Sequence, residues 1–155
     1  MRIGCVKEIK NNEYRVGLTP DNVRCYKDAG HEVLIESGAG IGSAFSDEQY
    51  ASCGAEILDN SSLIWQESDM LIKVKEPLKE EYPMMRKGLI LYTYLHLAAD
   101  RPLLEALINF GVKGVAYETL MEGDNSLPLL TPMSQIAGRL SVQEGAKCLE
   151  KHQGG

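Results

Sequence analysis

Arg15, Lys75 and His96 each stand beyond the carboxyl end of an apolar, strand-like run. In an open parallel sheet those ends form one rim, and small ligands bind along it. Two fixed positive charges beside an imidazole suit a small carboxylate whose carbonyl or amine must exchange a proton. Taken singly, each residue also has a plainer reading. Lys75 reads equally as a lysine snorkelling from a strand end. His96, after the aromatic run Tyr92-Thr93-Tyr94-Leu95, reads as a hydrogen-bonded core histidine, and Arg15 as a solvated charge in a polar loop. Their common position at strand ends is what joins them.

Strand and helix signals alternate along the chain, which is the α/β pattern. Arg2-Ile3-Gly4-Cys5-Val6 reads as a buried first strand, followed by the polar loop Lys10–Arg15. Thr19 with Pro20 marks a helix start, and the helix should reach Ala29-Gly30. Further strands are expected at Glu32–Ile35, Ala55–Leu58, Met70–Val74, Leu89–Tyr92 and Val115–Tyr117. Helices are expected from Ser46 to Gly54 and from Asp100 to Gly111. The absence of two-residue hairpin turns argues for parallel order. The expected fold is a Rossmann-like (flavodoxin-like), mostly parallel sheet flanked by helices, occupying residues 1–130.

From Leu127 the composition changes to an extended, Pro-punctuated link. A long helix is then expected to reach His152, about 30 Å at 1.5 Å per residue. Ile136, Leu140, Ala146 and Leu149 are its core-facing candidates, and Gly154 its terminator. Residues 131–155 thus read as a connector helix leading to a further domain.

The net charge of -6 disfavours nucleic acid as a partner. The chain enters a strand pattern at once, without a signal-peptide core, and has no apolar run able to span a bilayer. Cys5, Cys25, Cys53 and Cys148 show no C-x-x-C spacing and read as reduced, mostly buried thiols of a cytoplasmic protein. His31, His96 and His152 lack zinc-ligand spacing, so no metal is expected.

The loop Gly38-Ala39-Gly40-Ile41-Gly42-Ser43 invites a dinucleotide reading, but its third fingerprint position is Ser43 and the following helix starts late, at Ser46. It also follows the second strand, whereas the fingerprint normally follows the first. A loop needing glycine for its backbone angles is the simpler account. Ser134, near the start of the long helix, is either an anion contact or a capping serine. Glu8, Glu13 and Glu118 read as salt-bridge partners of the cationic rim, and Trp65 as helix-face core.

The chain resembles the N-terminal part of the alanine dehydrogenase/nicotinamide nucleotide transhydrogenase family. The likeness rests on Lys7-Glu8-Ile9-Lys10-Asn11-Asn12-Glu13-Tyr14-Arg15-Val16, Ser37–Ser43, Lys73-Val74-Lys75-Glu76-Pro77, Tyr94-Leu95-His96-Leu97-Ala98, Ala116-Tyr117-Glu118-Thr119 and Leu129-Leu130-Thr131-Pro132-Met133-Ser134. It implies an NAD-dependent oxidoreductase interconverting L-alanine with pyruvate and ammonia. Arg15 and Lys75 would bind the substrate carboxylate and keto oxygen. His96 would be the proton donor and acceptor, Met133 would lie near the substrate, and Ser134 would contact NAD. The transhydrogenase branch lacks a histidine matching His96, which puts this sequence on the dehydrogenase side.

The resemblance further implies a homohexamer whose NAD-binding domain would begin where this chain ends, at Gly154-Gly155. On that expectation the chain is a fragment with half a site and no turnover. Two other readings stand beside it. One is the nucleotide-binding subunit of a proton-translocating transhydrogenase, and the other a non-catalytic carboxylate-binding or oligomerisation module.

Overall fold

The computed structural model describes residues 1–155, which divide into two compact units, Met1–Ala116 and Tyr117–Gly155. The first unit alternates β1 (Arg2–Cys5), α1 (Pro20–Asp28), β2 (Glu32–Glu36), α2 (Asp47–Ser52), β3 (Glu56–Leu58), α3 (Ser61–Glu67), β4 (Met70–Ile72), β5 (Ile90–Thr93), α4 (Arg101–Phe110) and β6 (Lys113–Ala116). The strands form one six-stranded sheet in the order β3-β2-β1-β4-β5-β6. Every pairing is parallel. This is the Rossmann strand order, with its topological switch between β1 and β4.

Local chemistry fixes the helix starts. Thr19 and Asn22 form a capping box ahead of Pro20, and Ser46 and Gln49 form another ahead of α2. Asp100 accepts the Leu103 N–H at 3.0 Å to open α4, and Gly111, with φ 66°, closes it in the left-handed region. The β4–β5 connection departs from the expected pattern: it carries no α-helix, only a 3₁₀ turn at Tyr82–Met84.

Side chains alternate between the two faces of the sheet. Leu34, Leu71, Leu89 and Leu91 pack with Ile64 and Trp65 of α3 and Leu103 and Leu107 of α4. Val23 of α1 and Tyr50 of α2 are fully buried with Val33 and Ile35 of β2. Trp65 is the helix-face core residue expected. Helix α3 comes so close to β1 that a Cβ on Gly4 would lie 2.1 Å from Ser68 Oγ, so only glycine fits there.

The thiols differ from the expectation. All four are free, but only Cys5 is buried, and burial pushes its thiol up to about 12. Cys25 and Cys148 are exposed. Cys25 lies two residues from Val23, the one buried residue of this short helix, and so falls on the opposite, solvent-facing side.

In the second unit, α5 (Thr131–Cys148) ends before His152, because Glu150 adopts an extended backbone at ψ 140°. Leu130, not Ser134, occupies its N-cap. The stripe expected to face a core is exposed, with Ile136 at 58%, Leu140 at 50% and Leu149 at 79%. Helical spacing marks a face that can be buried, and this chain leaves that face open.

Candidate functional site

The connections after β1 and β4 leave in opposite directions, one toward β2 and the other toward β5. Such a switch leaves a crevice at the carboxyl ends of the two strands. Arg15 lies in the connection after β1, Lys75 three residues beyond β4, and His96 three residues beyond β5. The topology therefore puts two of the three expected rim residues on the two sides of the crevice and the third just beyond the neighbouring strand, β5.

Arg15 already holds a carboxylate. Its Nε donates to Glu13 Oε1 at 2.8 Å and its Nη2 to Glu13 Oε2 at 2.7 Å, the bidentate fork that guanidinium offers. The Arg15 backbone N–H adds a third bond to Oε1 at 2.9 Å. These bonds hold the Glu13 carboxyl below its usual range, and the Lys75 charge contributes in the same direction. Glu13 thus feels both cations, as a ligand carboxylate would. A cavity of about 290 Å³ opens beside Arg15 and Glu13, lined also by Lys7, Glu8, Gly38 and Gly42, while Lys75 and His96 lie outside its lining.

The glycine loop lines this cavity and is braced against its own neighbours. Its Gly38 N–H and the Ser37 hydroxyl both donate to the Asp47 carboxylate, at 2.9 and 2.8 Å. A Cβ on Gly40 would lie 2.6 Å from the Tyr50 ring, and one on Gly42 would lie 2.5 Å from the Tyr14 carbonyl oxygen. Gly38 has the positive φ, 73°, that the sequence suggested; Gly40 and Gly42 are there for close approach. Ser43 completes the brace by donating to the Tyr14 carbonyl at 3.1 Å. Gly42→Ala should displace the Tyr14-Arg15 backbone and, where Arg15 binds a small carboxylate, weaken that binding by about fivefold, a cost near 1 kcal/mol typical of overpacking. Titration with a small carboxylate checks this, and unchanged affinity would show that the loop does not set the Arg15 position.

Lys75 is held through its backbone. Its N–H points to Glu8 Oε1 at 3.4 Å, and its carbonyl accepts from Thr93 Oγ1 at 2.9 Å. Glu8 Oε1 also accepts the Val74 N–H at 2.6 Å. Behind them Lys73 is completely buried, with its ammonium 2.8 Å from Glu81 and 3.3 Å from Glu8. Burial alone would loosen the Lys73 proton, but the two carboxylates outweigh it and raise the group above its usual value. Burial raises the Glu8 carboxyl, against the opposing pull of Lys73 and the two amides.

His96 is exposed and sits at φ 50°, in the left-handed region that non-glycine residues seldom occupy. Its ring stacks on Tyr94 at 6.1 Å between centroids and 15° between planes. Tyr94 is buried and contributes to the electrostatic environment of Arg15. Of the three rim residues, Arg15 is bonded to Glu13 and His96 stacks on Tyr94, while the Lys75 charge acts on Glu13 through space. Met133 and Ser134 belong to the second unit, on the first turn of α5. Met133 is half-buried, while Ser134 is exposed with its N–H bonded to Leu130 at 3.1 Å.

Sequence reasoning paired Glu13 with the rim but missed Lys73 and Glu81. The available signal was a lysine inside an apolar run, Leu71-Ile72-Lys73-Val74, since a charge there requires buried partners.

Comparison with known proteins matches residues 4–137 to the family described as "Alanine dehydrogenase/PNT, N-terminal domain". An alanine dehydrogenase of Methanococcus maripaludis is 55% identical over the whole chain, which covers 42% of that protein. One from Bacillus subtilis is 56% identical, again over the whole chain, which covers 40% of it. A solved L-alanine dehydrogenase structure superposes with a TM-score of 0.91 at 54% identity, covering all of this chain and 43% of the other. A transhydrogenase from Sinorhizobium meliloti gives 0.73 at 26% identity, over 79% of this chain and 35% of its own. The chain thus spans about two fifths of the length of the relatives it matches. A crevice built at a Rossmann switch point and a likeness running through nearly every element have one explanation: the chain belongs to the alanine dehydrogenase/PNT N-terminal domain family.

Proposed function

We propose that this chain is the substrate-binding part of an NAD-dependent alanine dehydrogenase that interconverts L-alanine with pyruvate and ammonia. The observation that carries the reading is Glu13, a carboxylate held by the Arg15 fork and lowered further by Lys75. Pyruvate and alanine present the same group. In this reading Arg15 takes the substrate carboxylate by exchange with Glu13. Lys75 adds positive charge where the keto oxygen gains negative charge. His96 gives and takes the protons as water and ammonia exchange at the substrate carbon, and Met133 lies against the substrate.

NAD, when bound, supplies the hydride acceptor. The Gly38–Ser43 loop is not assigned to it, because the Gly38 N–H and the Ser43 hydroxyl are already bonded within the chain. The exposed Ser134 hydroxyl fits a single contact. Residues 1–130 then form the substrate domain and 131–155 the connector to a nucleotide domain, in a cytoplasmic homohexamer. No helix is long and apolar enough to cross a membrane.

The test is NADH oxidation by the full-length enzyme with pyruvate and ammonia, and the same assay on Lys75→Ala. The substitution should raise the KM for pyruvate at least about tenfold, the cost of one charged hydrogen bond. Absence of turnover in the wild type, or an unchanged KM in the variant, counts against the reading. Pyruvate binding also separates it from a transhydrogenase subunit, which needs no keto-acid site.

A further inference from the structure

Beyond Cys5–Ile72 the β1–β4 ladder stops, because the chain after β1 turns away. On its other side the segment after β4 still pairs with the neighbouring chain: the Lys73 N–H donates to the Tyr92 carbonyl and the Tyr94 N–H to the Val74 carbonyl. The Val74 and Lys75 N–H groups, facing the lost strand, have no backbone acceptor. Glu8 fills that place with a side chain, taking both on Oε1. Its other oxygen meets the buried Lys73 ammonium, which also bonds Glu81, and Glu81 Oε2 accepts the Leu78 N–H at 2.9 Å. The segment from Val74 to Leu78 is therefore fixed by side chains at both ends.

We infer that Glu8, held by Lys73 and Glu81, is a positioning residue for Lys75, setting where that lysine meets the substrate. The inference rests on the role given to Lys75 above. A carboxylate spans the crevice from the β1 side to amides on the β4 side, so it fixes the Lys75 backbone relative to the Arg15 loop. Charge matters because an ionised acceptor bonds an amide about twice as strongly as a neutral one. A buried carboxylate also stays ionised only beside a partner such as Lys73. Glu8 also lines the cavity beside Arg15, but both of its oxygens are engaged, Oε1 by the Val74 and Lys75 amides and Oε2 by Lys73, so in this scheme it acts through Lys75.

Two measurements decide it. In this 155-residue chain, Glu8→Gln should speed hydrogen exchange of the Val74 and Lys75 amides at least about tenfold, the loss expected when a charge-assisted bond becomes neutral. The Ile35 and Leu91 amides, deep in the sheet, should keep their protection. Unchanged Val74 and Lys75 exchange would overturn the inference, and so would a rise spread over all four. In the full-length enzyme, Glu8→Gln should raise the KM for pyruvate about tenfold by the same loss while leaving that for NADH unchanged. In a Lys75→Ala background it should add less than about twofold, because positioning has nothing left to act on. Effects that multiply, or a loss spread over every kinetic constant, would mean a general structural role. If the wild type turns over no pyruvate, the alanine dehydrogenase reading fails, and the amide exchange still decides whether Glu8 holds Lys75.

Discussion

Lys73→Ala should lower the free energy of unfolding by about 3–5 kcal/mol, the cost of leaving buried charges without their counterion. The substitution strands two carboxylates, Glu8 at 8% and Glu81 at 3% exposure, with no cation between them. Against a total stability of about 5–15 kcal/mol this is a large share. Urea unfolding at neutral pH measures it, and a loss below about 1 kcal/mol, the level of an exposed pair, would show that the network contributes little.

The same variant carries a pH signature. Burial raises the Glu8 carboxyl above its ordinary 4.5, and removing Lys73 deletes the main opposing charge. A carboxyl raised in the folded state binds its proton more tightly there than in the unfolded chain. Its stabilisation is complete below the ordinary value and is lost as the pH rises through the folded one. The deficit of Lys73→Ala should therefore narrow as the pH falls from neutral toward 4.5. A deficit that widens on acidification would reverse the sign assigned to Glu8.

On the function proposed above, His96→Ala in the full-length protein should reduce kcat by about 10²–10⁴-fold, the range for losing a general acid–base group. NADH binding, followed by its fluorescence, should stay nearly intact. His96 is exposed, so stability should change little. Its φ of 50° calls for a control, because alanine tolerates the left-handed region less readily than asparagine does. His96→Asn keeps that backbone while removing the proton carrier, and it should lose kcat to the same degree. Near-normal turnover in His96→Asn would assign the position to loop geometry and remove it from proton transfer.

Much of the fold could be read from local signals. Thr19-Pro20, Ser46 and Asp100-to-Gly111 fix helix ends through bonds within a few residues, and the sequence shows both partners. The apolar strands were legible for the same reason, although Lys73 and Val74 lie beyond the β4 ladder that ends at Ile72. Strand order was not legible, since no residue of β1 announces that β4 will lie beside it. The rim residues could be named from their places after strands, but the Lys73–Glu81 and Glu8–Val74 bonds join segments that meet only once the sheet exists. The open stripe of α5 misled because helical spacing records which face is apolar and carries no record of what covers it.

The strand order also has a mechanical consequence. Strands β3, β2 and β1 come from the first part of the chain and β4, β5 and β6 from the second, so the sheet is two half-sheets meeting along one seam. That seam is only three residue pairs long, Ile3 with Met70, Gly4 with Leu71 and Cys5 with Ile72. Glu8 continues the stitching past the last pair, with an ion pair to Lys73 behind it. A force prising the crevice open would therefore load a carboxylate before it reached the ladder, and the width of the cleft and the cohesion of the sheet depend on the same bond.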